Sequence, residues 1–277
     1  MEKYTLIGYP LGHSMSPYIH NRLFELACRD AEYNCTEIAP DDLTQKIGEI
    51  NRLNGYNITI PHKVSVIPYI DRLDISAKRY GAVNCVHNTG SELVGYNTDC
   101  DGFLNAVRDF PLSENVLLLG CGGAGRMMAI EAALHGASLT IAVQPRTEAK
   151  ARALVDEIEV ISPNTRAHIV RIDNIVGRYD MLINATPVGM YPHVKKCPVS
   201  DDVIANCTTV YDAVYNPICT ALLAKAFGMG KKAAGGMSML VHQAVRAHEI
   251  WNGDFYSPIL VNVLIQEAEK NMQVLSR

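Results

Sequence analysis

The chain has 277 residues, of which 48% are hydrophobic, and a formal net charge of −4 at pH 7. This length favours two domains with a sizeable core, and the charge leaves no basic excess for neutralising a nucleic-acid backbone. No apolar run approaches the roughly 20 residues that cross a bilayer. The charge and the lack of such a run together predict small-molecule partners, with no nucleic acid and no membrane.

Short β-rich segments alternate with helical patterns in the first part of the chain, which favours a mostly parallel sheet covered by helices. The predicted strands are 4–8, 32–37 and 56–60, and the predicted helices are 17–28 and 41–53. Ser16 followed by Pro17 predicts a helix N-cap with proline at the first helical position. Two runs at 82–87 and 92–96, separated by NTGS, predict a hairpin and one antiparallel strand near the edge of this sheet.

A second alternating series predicts another α/β unit. Its predicted strands are 116–119, 139–143, 167–172, 181–184, 208–211 and 232–234. The segment FPLSE at 110–114 interrupts both patterns and predicts a domain boundary there. Helical stretches at 238–251 and 258–275 end the chain, and their periodicity does not decide which domain they complete.

The segment VLLLGCGGAGR contains the most specific local motif. An apolar strand runs into Gly120, Gly122 and Gly125, spaced as GxGxxG, and a helical pattern follows from Arg126. Such glycines permit a tight turn and close backbone approach, so that a pyrophosphate lies at the helix N-terminus. The motif predicts dinucleotide binding; a glycine-rich turn without a ligand is the alternative.

The end of the second strand of this unit reads VQPRTEAK and contains no carboxylate where NAD-binding proteins usually place one. Arg146 and Lys150 are suited to a 2′-phosphate, and Thr147 adds a hydroxyl. The segment therefore predicts NADP in preference to NAD. The alternative is that both cations are solvated charges at the start of a helix.

Several polar segments fall at predicted strand ends or helix starts, where the carboxyl edge of a parallel sheet collects side chains around a crevice. They are GHSMSPYIHN, NITIPHK, GAVNC, GYNTDCDG and GGMSMLVHQ. Their residue types suit a polyhydroxylated ligand with a carboxylate. Each also has a structural alternative: Ser14 and Ser16 as caps, Asn84 as a turn residue, Asp99 as an N-cap and Gln243 on a helix surface.

The eight cysteines form no CxxC pair and no Cys/His cluster at zinc-like spacing, which is typical of reduced core thiols. No metal site is predicted. The N-terminus shows no signal peptide, so we interpret the chain as cytoplasmic. Its oligomeric state, monomer or homodimer, stays open.

Taken in order, these segments resemble the shikimate dehydrogenase (shikimate/quinate dehydrogenase) family, and the resemblance continues with NATPVGM and YDAVYNPICTALL. It implies an α/β fold of two domains. The substrate domain, with a mixed sheet, comprises 1–108 and 237–277, so that the C-terminal helices complete it, and the Rossmann-type NADP domain comprises 109–236. The implied reaction is the reversible NADP-dependent reduction of 3-dehydroshikimate to shikimate, on the chorismate route to aromatic amino acids.

The resemblance also implies the site residues, with Lys63 and Asp99 as the catalytic pair. An ammonium group stabilises the negative charge that develops on a carbonyl oxygen during reduction and supplies its proton. The implied substrate-binding residues are Ser14, Ser16, Thr59, Asn84, Tyr215 and Gln243. The implied cofactor-binding residues are Gly120, Gly122, Gly123, Ala124, Gly125, Arg146, Thr147, Lys150, Thr186, Gly236 and Met239.

One residue departs from the family pattern: Pro145 stands where the family usually has asparagine before the Arg–Thr pair, so the adenine-side contact of that asparagine is absent and the proline restricts the preceding residue. Other functions stay open. They are a quinate or dual quinate/shikimate dehydrogenase, a non-catalytic metabolite sensor and a folate-linked methylene dehydrogenase. Retention of Lys63 and Asp99 argues against the sensor, although without the resemblance Lys63 reads as a surface lysine.

Overall fold

The computed structural model describes residues 1–12 and 14–275, and it describes side chains as far as residue 273. The chain divides into two compact units. Unit 1 consists of Met1–Gly102 and Leu240–Ala268, and unit 2 consists of Phe103–Met239 and the end of the last helix from Glu269.

Unit 1 contains a mixed six-stranded sheet. Its strands are β1 (Glu2–Gly8), β2 (Ala31–Glu37), β3 (Gly55–Ile58), β4 (Arg72–Leu73), β5 (Cys85–Asn88) and β6 (Leu93–Tyr96), in the order β2-β1-β3-β5-β6-β4. Strand β1 is parallel to β2 and β3, whereas β5 is antiparallel to β3 and β6. An antiparallel strand was expected near the edge. It lies inside the sheet because β6 and the short β4 add beyond it.

The first helices of the chain alternate with these strands in sequence, and only α5 follows the last of them. They are α1 (Ser16–Leu26), α2 (Leu43–Ile50), α3 (His62–Ser65), α4 (Ile75–Tyr80) and α5 (Asp99–Ala106). The expected N-cap at Ser16 is wrong by one residue: Met15 occupies the cap position, and Ser16 and Pro17 are the first two helical residues. Helices α3 and α4 were not predicted, since they are too short to show a helical period.

The sheet of unit 1 buries both faces. Successive residues Leu6 and Ile7 of β1 belong to separate hydrophobic clusters, as expected from the alternation of side chains along a strand. Trp251 contributes to the Leu6 cluster and donates from Nε1 to the carbonyl of Val86 at 2.9 Å. A Cβ on Gly55 would lie 2.5 Å from the Trp251 indole nitrogen, so this contact requires glycine.

Unit 2 contains a parallel six-stranded sheet. Its strands are β7 (Asn115–Leu119), β8 (Ser138–Val143), β9 (Ala167–Arg171), β10 (Tyr179–Asn184), β11 (Cys207–Asp212) and β12 (Lys232–Ala234). The order β9-β8-β7-β10-β11-β12 is that of a doubly wound dinucleotide-binding fold. All strand pairs are parallel, and 116–119 are fully buried, because helices cover both faces of such sheets.

The remaining helices are α6 (Gly123–Leu134), α7 (Glu148–Ile161), α8 (Asp201–Ala205), α9 (Ala221–Gly228), α10 (Met237–Asn252) and α11 (Pro258–Leu275). Helix α6 begins three residues before the expected start at Arg126, so the glycine motif itself forms its first turn. All eight cysteines are free, but Cys28, Cys35 and Cys219 are exposed, which corrects the expectation that the thiols lie in the core. No helix in the described part of the chain is long and apolar enough to cross a bilayer.

Candidate active site

Lys63 and Asp99 form a close ion pair in unit 1. Lys63 Nζ donates to Asp99 Oδ2 at 2.6 Å, and the two side chains are 29% and 21% exposed. Asp99 is the first residue of α5, where the helix dipole favours a carboxylate. The ammonium group is therefore held by a neighbouring negative charge but remains accessible to solvent.

Backbone hydrogen bonds fix the segment that carries Lys63. After β3 ends, Thr59 N donates to Ile7 O at 2.9 Å, and His62 N donates to Thr59 O at 3.0 Å. The fully buried His62 ring contacts Ile38 O through Nε2 at 2.6 Å. Val83 N donates to Lys63 O at 2.7 Å. The backbone before Lys63 and the Lys63 carbonyl itself are therefore fixed by hydrogen bonds.

Asn84 occupies the second oxygen of Asp99. Its Nδ2 donates to Asp99 Oδ1 at 2.8 Å, while Thr98 N donates to Asn84 Oδ1 at 2.7 Å. Both carboxylate oxygens therefore accept hydrogen bonds, one from Lys63 and one from Asn84. This network restricts the carboxylate to one orientation beside the ammonium.

Thr98 is a member of this network that sequence reasoning missed. It is 1% exposed, and its Oγ1 contacts Asn84 Nδ2 at 3.1 Å and Gln243 Oε1 at 3.4 Å. Gln243 itself is 8% exposed and donates to Leu240 O, so it does not lie on a helix surface. Thr98 was within the quoted segment GYNTDCDG, but nothing local separated it from a turn residue.

The topology brings the candidate residues of unit 1 to one edge of its sheet. Thr59 follows β3, and Asp99 follows β6. Asn84 precedes β5, which runs antiparallel to β3 and therefore begins at the same edge. Ser14 and Ser16 follow β1 at the start of α1, where Ser16 N donates to Ser14 Oγ at 3.2 Å. The remaining substrate candidate, Tyr215, lies in unit 2, and burial raises its pKa.

The structure explains in three ways why glycine occupies the positions of the motif in unit 2. Gly120 has φ +90°, and a Cβ there would lie 2.8 Å from Thr186 Cγ2. A Cβ on Gly125 would lie 2.4 Å from the carbonyl oxygen of Gly120, so this glycine permits close packing of helix and strand. A Cβ on Gly122 or Gly123 would meet no heavy atom within 4 Å. Both glycines and Ala124 are exposed.

These observations test whether the motif fits a dinucleotide. The open backbone lies at the N-terminus of the 12-residue helix α6, whose Ncap is Gly122 without a side-chain cap. Unsatisfied N–H groups at a helix N-terminus bind phosphate. The residues present therefore fit the pyrophosphate of a dinucleotide cofactor.

The segment after β8 forms a turn that leads into α7. Gln144, Pro145 and Arg146 are exposed, and so is Lys150. Among the described residues, neither Arg146 nor Lys150 has an ion-pair partner. The Thr147 hydroxyl donates to Gln144 O at 3.0 Å, so in this arrangement it offers a ligand lone pairs rather than its proton.

A buried network in unit 2, also missed from the sequence, positions Thr186 beside the glycine motif. Thr186 Oγ1 donates to Asn184 Oδ1 at 2.7 Å, and Asn184 Nδ2 donates to Asp212 Oδ1 at 2.9 Å. Thr220 Oγ1 donates to Asp212 Oδ2 at 2.6 Å. Burial raises the pKa of the Asp212 carboxyl, and these hydrogen bonds oppose the increase.

The last two cofactor candidates lie where β12 leads into α10. Gly236 is buried, and a Cβ there would lie 2.1 Å from the carbonyl oxygen of Ala213. The glycine is thus required for backbone packing. Met239 is half-buried in the first turns of α10. Within the described ranges, no group of three or more His, Cys, Asp or Glu side chains is placed to hold a metal ion.

Comparison with known proteins gives consistent results for the sequence and the fold. Residues 6–86 match the family described as shikimate dehydrogenase substrate binding domain. The chain is 39% identical over 256 residues to the "Shikimate dehydrogenase (NADP(+))" of Bacillus subtilis, covering 90% of this chain and 91% of the relative. It is 37% identical over 278 residues to the protein of the same name from Desulforamulus reducens, covering 96% and 95%.

Among solved structures, the shikimate 5-dehydrogenase of Thermus thermophilus in complex with NADP(H) and shikimate has a TM-score of 0.85 at 30% identity, covering 97% of this chain and 100% of that chain. The 5-ketofructose reductase of a Gluconobacter strain has a TM-score of 0.83 at 28% identity, covering 98% of both. Identity to the curated relatives over nine-tenths of the sequence decides the family. The chain belongs to the shikimate dehydrogenase family.

Proposed function

We propose that this protein is an oxidoreductase that interconverts 3-dehydroshikimate and shikimate with NADP(H), a step in the biosynthesis of chorismate and aromatic amino acids. The observation that carries the proposal is the pairing of Lys63 with Asp99 at 2.6 Å in a chain of this family. The pair offers a positioned proton donor, and the glycine motif of unit 2 fits the cofactor.

Lys63 performs the proton chemistry. NADPH, when bound, supplies the hydride that reduces the carbonyl carbon. Negative charge then develops on the carbonyl oxygen, where the Lys63 ammonium stabilises it and donates its proton. In the opposite direction, the neutral amine of Lys63 accepts the proton of the substrate hydroxyl.

Asp99 orients the ammonium and compensates its charge in the half-buried site. Because Asn84 occupies its other oxygen, the carboxylate keeps its position when the substrate enters. The same carboxylate retains lone pairs that accept a hydrogen bond from a ring hydroxyl. Asp99 therefore acts on both the lysine and the substrate.

The other site residues divide by chemistry. Ser14 and Ser16 bind the substrate carboxylate through their hydroxyls and the N-terminus of α1. We assign the binding of the ring hydroxyls to Thr59, Asn84, Tyr215 and Gln243. The residues that would hold the cofactor are those of the glycine motif together with Ala124, Thr147, Lys150, Thr186, Gly236 and Met239, and Arg146 would bind its 2′-phosphate.

We assign substrate binding to residues 1–108 and 237–277, and NADP binding to residues 109–236. The assignment is supported by the candidate residues at the edge of the first sheet and by the doubly wound order of the second. The free state of all eight cysteines supports action in the cytoplasm. For the oligomeric state, the proposal is a monomer or a homodimer.

The proposal is tested by measuring initial rates of NADP⁺ reduction with shikimate and quinate side by side. 5-Ketofructose reduction by NADPH is a third assay, because a reductase of that ketone shares this fold. We expect kcat/KM for shikimate to be well above that for quinate. Equal or reversed values reject the shikimate assignment, and inactivity with every substrate favours a non-catalytic homologue.

A further inference from the structure

A cavity of about 340 Å³ lies at the sheet edge of unit 2 where β8 and β9 end. Val143, Ile169 and Val170 form its apolar lining. Its polar lining consists of Gln144, Glu148, Arg152 and Arg171. Arg171 is the last residue of β9 and lies opposite Val143 in the strand register. The cavity therefore adjoins the start of the turn that leads into α7.

The charges of this lining favour an anion. Glu148 Oε1 accepts from Arg152 at 2.7 Å, so the carboxylate is compensated by one of the two guanidinium groups. Arg171 is exposed and has no ion-pair partner among the residues that the structure describes. One uncompensated guanidinium thus lines the cavity, and guanidinium geometry suits phosphate oxygens.

The neighbouring segment indicates which anion this is. Gln144 and Glu148 belong both to the cavity and to the segment 144–150 that carries Arg146 and Lys150. In dinucleotide-binding folds this strand end receives the adenosine ribose. Pro145 has neither a backbone N–H nor a polar side chain, so donors for a phosphate at this end must come from other residues.

We propose that this cavity is part of the NADP 2′-phosphate site and that Arg171 supplies a phosphate-binding guanidinium in addition to Arg146. Glu148 limits the affinity, because it holds Arg152 and places a negative charge beside the phosphate. The inference rests on the proposed NADP dependence. It assigns specificity for the 2′-phosphate to two adjacent strand ends of the sheet rather than to one.

The test measures binding without turnover. Isothermal titration of the full chain with 2′,5′-ADP and with 5′-AMP isolates the contribution of the 2′-phosphate. Arg171→Ala should weaken 2′,5′-ADP binding by about three- to tenfold, the scale of an exposed charge-assisted contact, and leave 5′-AMP binding unchanged. Arg166→Ala is the matched control, since this exposed arginine precedes β9 at its opposite end, and it should change neither affinity.

A second variant predicts a gain. Glu148→Gln removes the competing charge and releases Arg152, so it should strengthen 2′,5′-ADP binding about two- to fivefold at low ionic strength, with less effect at high salt. A general disturbance of the fold does not produce a gain. Arg171→Lys should restore part of the affinity that Arg171→Ala loses.

Unchanged 2′,5′-ADP affinity in Arg171→Ala, or an equal loss for 5′-AMP, would overturn the inference. So would an Arg171→Ala variant that loses inorganic phosphate binding but keeps its 2′,5′-ADP affinity, since the cavity would then be a separate anion site. Failure of the proposed function is distinguishable: wild-type protein would bind 2′,5′-ADP with the predicted variant effects but would not oxidise shikimate.

Discussion

Replacing Lys63 by alanine removes the proposed proton donor, and the structure sets the size of the effect. General acid–base catalysis contributes about 10²- to 10⁴-fold in rate, or about 2.7 to 5.4 kcal/mol of barrier at 1.36 kcal/mol per tenfold. The lysine side chain is 29% exposed, so water enters the vacated space and replaces part of its proton-donating role. We therefore expect kcat to fall by about 10²- to 10³-fold, with a smaller change in KM.

Stability should change little in the same variant. Asp99 is 21% exposed and keeps its hydrogen bond from Asn84, so losing a partly solvated ion pair should lower the free energy of unfolding by less than about 1 kcal/mol. Steady-state kinetics and urea denaturation separate these quantities. Lys78→Ala, which removes an exposed lysine of α4, is the matched control and should change neither.

Asp99→Asn provides an independent arm of this test. Both Asp99 oxygens accept hydrogen bonds, so the asparagine NH₂ necessarily faces a donor, either Lys63 Nζ or Asn84 Nδ2. Turnover should fall here too, although the side chain has the same shape. If Lys63→Ala keeps a near-wild-type kcat at saturating substrate, the catalytic role given to this pair is wrong.

Three further predictions concern the cofactor and stability. Arg146→Ala should reduce the kcat/KM ratio of NADP⁺ to NAD⁺ by about tenfold, the lower end for an exposed charged hydrogen bond, and an unaltered ratio contradicts it. Gly122→Ala should weaken NADP⁺ binding without changing Tm, because the added Cβ would meet no protein atom within 4 Å. Gly125→Ala should lower Tm, because its Cβ would lie 2.4 Å from a backbone carbonyl oxygen. Calorimetry with and without NADP⁺ separates the two effects. Burial lowers the pKa of both His20 and His248, so the unfolded chain binds protons at a higher pH than the folded chain does. The free energy of unfolding should therefore decrease as pH falls below about 6.5. Urea titrations of wild type and His20→Phe check this, and equal slopes of the free energy of unfolding against pH in the two proteins refute it.

Patterns that arise within one segment were readable from the amino-acid sequence. The run 116–119 is apolar because its strand is covered on both faces, and the glycine spacing follows from the turn between that strand and α6. The last helix was predicted at 258–275, the range that the structure shows, because proline at its start and an amphipathic period are local features. Family membership also followed from sequence, through the order of the motifs.

Contacts between distant segments were decided by tertiary structure. From its own neighbours Lys63 reads as a surface lysine, and its partner Asp99 lies 36 residues away in sequence. Neither Thr98 nor Asp212 was identified, because each acts through hydrogen bonds to residues that are distant in sequence, Thr98 to Gln243 in α10 and Asp212 to Asn184 at the end of β10. The roles of the site residues in binding and catalysis stay predictions. Local periodicity indicates which face of a segment is buried, but only the order and direction of the strands determine which strand ends lie at the same edge. In unit 1, the interior antiparallel strand β5 brings Asn84 to the edge where β3 and β6 end, beside Lys63 and Asp99.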